Sequence, residues 1–239
     1  MECRIVKMYN KRLGMDKGRA PVTATQSNHG RTTVYMGPMF SGKTSKMFEH
    51  IRAAALGLKR VSVIKWDRDV RYSSRPLASS HDGAHMHAIA VADLKKDPAD
   101  LPADVQVIGI DEAQFLDGVA EFCKRQNRAG RDVVVAGLNH KADVDRSAWP
   151  NMIDFMSFAR IHTMRSTCVI CQSDDALCSR LVEGTPLQGR IEVGVSNFVA
   201  TCEGCYEAPL TQEMIDKRAA VVAFINGPSV TFPSGALDH

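Results

Sequence analysis

Gly37-Pro38-Met39-Phe40-Ser41-Gly42-Lys43-Thr44 is the stretch that decides how this chain reads. It is a full G-x-x-x-x-G-K-[ST] pattern. Glycines of such a loop let successive backbone N–H groups wrap phosphate oxygens, and the helix that follows adds the positive end of its dipole. Lys43 supplies a point charge to the terminal phosphates, and the Thr44 hydroxyl is placed to ligate Mg²⁺. The context that the pattern requires stands on both sides. Thr32-Thr33-Val34-Tyr35-Met36 reads as a short strand leading in, and about Gly42 to Leu56 as a helix leading out, with Gly57 closing it. A glycine turn followed by a chance Lys-Thr would lack that agreement.

Outward from the loop, strand and helix patterns alternate. Val61 to Trp66, Val105 to Ile110, Asp132 to Leu138 and Phe158 to Met164 read as strands. Gly118 to Ala129 reads as a helix with Val119, Phe122 and Cys123 on its apolar stripe. Strands that are continuous apolar runs, separated by helices, predict an α/β fold: a phosphate-loop NTPase-type parallel sheet covered on both faces. Asp67 to Gly83 reads as one long polar loop, a length that usually carries function or stays disordered. After Arg165 the texture changes to cysteines, turns and short β pieces, and Thr211 to Ala219 reads as a last helix.

Composition sets outer limits. At 239 residues with 44% apolar and 24% charged, the chain can bury a core without disulfide staples. Its longest apolar runs, such as Ala220 to Ile225, are too short to span a bilayer, and Met1-Glu2-Cys3-Arg4 lacks a signal-type apolar region, so a cytoplasmic, non-membrane protein is expected. The net charge of +3 is uneven, because residues 1–30 carry six Lys/Arg against Glu2 and Asp16. That segment reads as a solvated, disordered extension, and no basic stripe predicts a nucleic-acid partner.

Two further motifs carry chemistry. Asp111-Glu112 ends a buried strand, where an acid of a phosphate-loop protein holds Mg²⁺ and a second carboxylate can take a proton from the attacking oxygen. Glu112 is therefore the candidate general base; the alternative is an Asp-Glu pair that caps the next helix. Cys168-x-x-Cys171 and Cys202-x-x-Cys205 have the spacing of two knuckles that place four thiolates around one structural Zn²⁺. Cys178 lies between the knuckles and reads as a small buried residue, not a fifth ligand. Cys123 reads as a core residue. His85-x-His87 would put both rings on one strand face, without partners at metal spacing.

Taken together, the phosphate loop, Ile64-Lys65, Asp69-x-Arg71-Tyr72-Ser73-Ser74, His81-Asp82, Ile110-Asp111-Glu112-Ala113-Gln114-Phe115 and the paired knuckles resemble type II thymidine kinases. These are the zinc-containing, usually tetrameric class of cytosol, bacteria and DNA viruses. The resemblance implies ATP-dependent phosphorylation of a deoxynucleoside 5′-hydroxyl. It implies Glu112 as base, with Lys43 and Arg71 on the transferring phosphoryl group. Thr44, Asp69 and Asp111 would stand near Mg²⁺ or the reacting hydroxyl. Met39, Phe115, Leu138, Cys178, Gly194 and Phe198 would line the nucleoside pocket, and about Leu181 to Val199 would be the lasso over it. The organisation expected is an extension over 1–30, a kinase core over 31–165, a zinc-binding lasso segment over 166–206 and a C-terminal helix and tail over 207–239.

Departures from the family pattern gather at the nucleoside pocket. Leu138-Asn139-His140-Lys141-Ala142 stands where the family has Leu-Asp-x-x-Phe, Cys178 where it has Thr, Val193-Gly194 where it has Gly-Gly, and Phe198 where it has Tyr. A larger or 5-modified pyrimidine nucleoside could use the space at Ala142. Two other readings stay open at this point: a nucleic-acid-binding ATPase with a zinc ribbon, since Asp111-Glu112-Ala113-Gln114 also resembles a helicase-type acidic box, and a degenerate kinase that binds nucleotide without turnover.

Overall fold

The computed structural model describes residues 29–69, 77–79, 84–142, 146–182 and 198–216. Arg71, Gly194, most of the expected lasso, the basic extension up to residue 28 and the tail from residue 217 lie outside the described residues. The described chain opens at His29, and the Gly30 N–H already donates to the Asn127 carbonyl at 2.9 Å.

Six strands form one sheet in the order β5-β2-β6-β7-β1-β8: β1 (Thr32–Gly37), β2 (Val61–Trp66), β5 (Ile89–Val91), β6 (Val107–Ile110), β7 (Asp132–Leu138) and β8 (Arg160–Thr163). Every neighbouring pair runs parallel. The expected parallel sheet is present, and its apolar strands are buried on both sides as a two-faced sheet requires. Alternation along β7 divides the work. Val133 and Val135 face one cluster with Ile108, Ile110, Phe122 and Phe155, whereas Val134 and Ala136 face Met47, Phe48 and Ile51 of helix α1 (Lys43–Leu56). Helix α2 (Val119–Arg128) covers the first face with Phe122 and Cys123, both fully buried.

Two stretches differ from the sequence reading. Within the expected polar loop, β3 (Leu77–Ser79) pairs antiparallel with β4 (His85–His87), and β5 follows as an edge strand. Each of these is only three residues long, too short for period-2 alternation to stand out. On β4, His85 and His87 share one exposed face as their spacing predicts, and His85 Nδ1 lies 2.7 Å from Ser79 Oγ. The strand expected over Phe158 to Met164 is shorter, Arg160–Thr163, because a 3₁₀ turn at Asp154–Ser157 carries the chain to Phe158. Before it, Pro150–Ile153 makes a single helical turn, α3.

Beyond β8 lies a separate antiparallel pair, β9 (Cys178–Leu181) with β10 (Phe198–Thr201). Near the end of the described chain, Thr211 opens a helical turn over 212–216 by accepting from the Met214 N–H on its hydroxyl at 3.3 Å.

Candidate active site

All of the chemistry-bearing strand ends lie at the carboxyl edge of the parallel sheet, where α/β folds bind ligands. β1 ends in Gly37, and the chain turns through Pro38–Gly42 into α1. Gly42 sits at φ 76, a left-handed conformation open to glycine. Gly37 is required for another reason: a Cβ there would stand 2.5 Å from the Met164 carbonyl oxygen. The ammonium of Lys43 stands inside the loop and donates to the Pro38 carbonyl at 2.5 Å. Helix α1 thus presents its first turn and a buried lysine to one cleft.

β6 delivers the two acids. The Asp111 N–H continues the sheet by donating to the Ile64 carbonyl, and its carboxylate accepts from the Thr44 hydroxyl at 3.0 Å. Thr44 and Asp111, both expected near Mg²⁺, therefore meet. Two facing oxygens beside a phosphate loop are the donor set that Mg²⁺ takes there. Glu112 adopts φ 51, uncommon for a residue with a side chain, and makes no side-chain cap on the following turn. The capping alternative for the Asp-Glu pair is not what the structure holds.

A cavity of about 270 Å³ is lined by Met39, Phe40, Gly42, Lys43, Thr44, Asp111, Glu112 and Leu138, with Ser45 and Gly137. It brings together the expected base, the phosphate-loop lysine, the expected Mg²⁺ pair and two of the expected nucleoside contacts. Phe115, Cys178, Phe198 and Asp69 are not part of that lining. Phe115 packs 4.6 Å from the ring of Trp66 and 5.3 Å, edge-on, from Trp149. Asp69 is buried, and its carbonyl accepts from Lys65 Nζ at 2.5 Å. Cys178 and Phe198 lie on β9 and β10, and burial pushes the Cys178 thiol above its ordinary pKa.

The β9–β10 segment is nevertheless joined to the loop. The Met39 N–H donates to Ser179 Oγ at 2.8 Å, Ser166 Oγ donates to the Phe40 carbonyl at 3.2 Å, and Asn139 Nδ2 donates to the Leu177 carbonyl at 2.9 Å. The departure at Asn139 thus bonds β7's end to the strand that starts at Cys178.

Cys168, Cys171, Cys202 and Cys205 form one cluster, all four sulfurs lying within 4.8 Å of one another. Cys171 and Cys202 sulfurs are 3.7 Å apart. A tetrahedron with Zn–S bonds of about 2.3 Å has edges near 3.8 Å, so the spacing suits zinc. Ser173 draws the Cys171 thiol down to about 6, and the neighbouring Cys202 sulfur pushes Cys205 up to about 12. Small residues Ala176 and Ala200 pack behind Cys168.

A sequence model described as thymidine kinase matches residues 30–206 of this chain. The chain belongs to the thymidine kinase family. Thymidine kinase 1 of Dictyostelium discoideum is 29% identical over 183 residues, covering 75% of this chain and 78% of that protein. The human cytosolic thymidine kinase is 32% identical over 178 residues, or 74% of this chain and 73% of its own. The thymidine kinase of Myxoma virus (strain Lausanne) is 28% identical over the same length, covering 96% of the viral protein.

In this thymidine kinase family member, three polar residues matter to the site beyond those that the sequence singles out for roles. Lys65 clasps Asp69 and Leu77, Ser179 holds Met39, and Gln114 bridges Glu112 and Leu138. Lys65 and Gln114 carry a readable signal, being polar residues embedded in buried runs. Ser179 carries none.

Proposed function

We propose that this chain transfers the γ-phosphoryl group of ATP to the 5′-hydroxyl of thymidine or a related pyrimidine deoxynucleoside, giving the 5′-monophosphate. The observation that carries the reading is the cavity in which Lys43, Thr44, Asp111 and Glu112 meet, in a chain of the thymidine kinase family. Glu112 takes the hydroxyl proton as the acceptor oxygen attacks the γ-phosphorus in line, and ADP leaves. Lys43 and Arg71 absorb charge on the transferring group. Thr44 and Asp111 hold Mg²⁺, which when bound neutralises phosphate charge, and Asp69 orients the reacting hydroxyl. Residues 37–44 cradle the phosphates.

For the acceptor, Met39 and Leu138 supply apolar walls, and Phe115, braced by Trp66 and Trp149, supplies the ring on which the base stacks. Cys178, Gly194 and Phe198 close the pocket from the lasso side. Zinc at the four cysteines is structural, with no open position for catalysis. The division into a core over 31–165 and a zinc-binding segment over 166–206, a homotetrameric assembly and a cytoplasmic location belong to the same reading. Ala142, in place of an aromatic, favours acceptors that are larger at the pyrimidine 5-position.

Product formation from ATP–Mg²⁺ tests the reading. The acceptors are thymidine, deoxyuridine, deoxycytidine, 5-substituted deoxyuridines and none, with Glu112→Gln alongside. A 5′-monophosphate whose formation falls about 10²- to 10⁴-fold in the variant is the expected result. ATP hydrolysis stimulated by DNA without nucleoside product would instead favour the nucleic-acid ATPase. Unmodified thymidine ranking first in kcat/KM would remove the preference for 5-modified acceptors.

A further inference from the structure

We propose that Gln114 is a positioning residue for the general base, holding the Glu112 carboxylate in its proton-accepting orientation and tying it to the pocket wall at Leu138. The inference rests on the assignment of Glu112 as base. Gln114 is 2% exposed, in the short turn Ala113–Phe115 that follows β6. Its Nε2 donates to Glu112 Oε2 at 2.6 Å, and its Oε1 accepts from the Leu138 N–H at 3.0 Å. The second bond fixes the amide's orientation. A backbone N–H can only donate, so the carbonyl oxygen must face Leu138 and the NH₂ group must face the carboxylate. The residue's own carbonyl accepts from Asn151 Nδ2 at 3.1 Å, which anchors the turn to α3.

A donor seated on Oε2 fixes the rotation of the Glu112 carboxylate. Leu138 lines the same cavity as Glu112, so one amide sets the distance between the wall and the base. The charged groups that line the cavity with Glu112 are Asp111, beside it on the β6 tip, and Lys43, from the phosphate loop. Lys65 of β2 turns its ammonium to the Asp69 and Leu77 carbonyls. From the elements packed on the turn, α3 carries no titratable side chain, and the acid of β7, Asp132, sits at the far end of its strand.

The test compares kcat and nucleoside KM in wild type, Gln114→Met, Gln114→Glu and Glu112→Gln, at saturating ATP–Mg²⁺. Gln114→Met keeps the volume and removes the donor. It should lower kcat about 10- to 100-fold with nucleoside KM little changed. Gln114→Glu keeps the shape but faces carboxylate with carboxylate, so its kcat should fall at least as far. Wild-type kcat in both variants, or a loss that lies in KM and not in kcat, with Glu112→Gln inactive, overturns the positioning role and leaves Glu112 as the base. An active Glu112→Gln overturns the assignment of the base itself. If Gln114→Met fails to fold, the near-isosteric Gln114→Glu decides alone.

Discussion

The Thr44 hydroxyl donates to Asp111 Oδ1 at 3.0 Å, joining the first turn of α1 to the tip of β6 across 67 positions of sequence. The sheet order sets the two oxygens face to face, since β7 alone separates β6 from β1, the strand that leads into the phosphate loop. Asp111→Asn keeps the shape and removes the charge. The expected outcome is a 10- to 100-fold rise in the Mg²⁺ concentration needed for half-maximal activity, with the melting temperature close to wild type. Mg²⁺ titration of initial rates reads it.

Lys65 is 4% exposed and donates to the Asp69 carbonyl at 2.5 Å and the Leu77 carbonyl at 3.0 Å. A buried ammonium bonded to two carbonyls closes the base of the connection from β2 to β3. Lys65→Met removes both bonds and leaves two carbonyls to find other partners. Urea denaturation should show a loss of about 2 kcal/mol, and turnover should fall because Asp69 loses its support. Unaltered stability together with wild-type kcat would count against the clasp.

Phe115 connects Trp66 and Trp149 by ring contacts at 4.6 and 5.3 Å. Truncation to alanine should cost about 3 kcal/mol of stability and raise nucleoside KM more than ATP KM. Phe115→Leu, which refills most of the volume, should recover much of the stability while KM stays high. Thermal melts and paired KM measurements separate the two effects.

Zinc removal bears on the phosphate loop as well as on the β9–β10 pair. Ser166 and Ser179 flank the first knuckle and hold Phe40 and Met39. A strong chelator should release one zinc per chain and expose four additional reactive thiols, and KM should rise for ATP as well as for the nucleoside. A rise confined to the nucleoside would mean that the loop keeps its shape without these bonds.

Much of the fold is legible because its signals are local. The continuous apolar runs at Val107–Ile110 and Asp132–Leu138, and the phosphate loop between strand and helix, mark the parallel sheet and its ligand-binding edge. The four cysteines gather as their spacing predicts. Ile89–Val91 is missed because three residues of edge strand, only partly buried, leave no period to read. Gln114 is legible as a letter of a motif but not as a contact, since its meaning depends on Leu138, 24 residues away. Asn139 reads in sequence as a pocket departure, and only the folded chain shows its amide on the Leu177 carbonyl. Long-range hydrogen bonds of this kind have no periodicity and leave no trace in one sequence.

The hydrogen bond from the Met39 N–H to Ser179 Oγ has a bearing on how such a chain can change. The phosphate loop and the β9–β10 pair share this joint, so a substitution that reshapes the β9–β10 side also tugs on the loop.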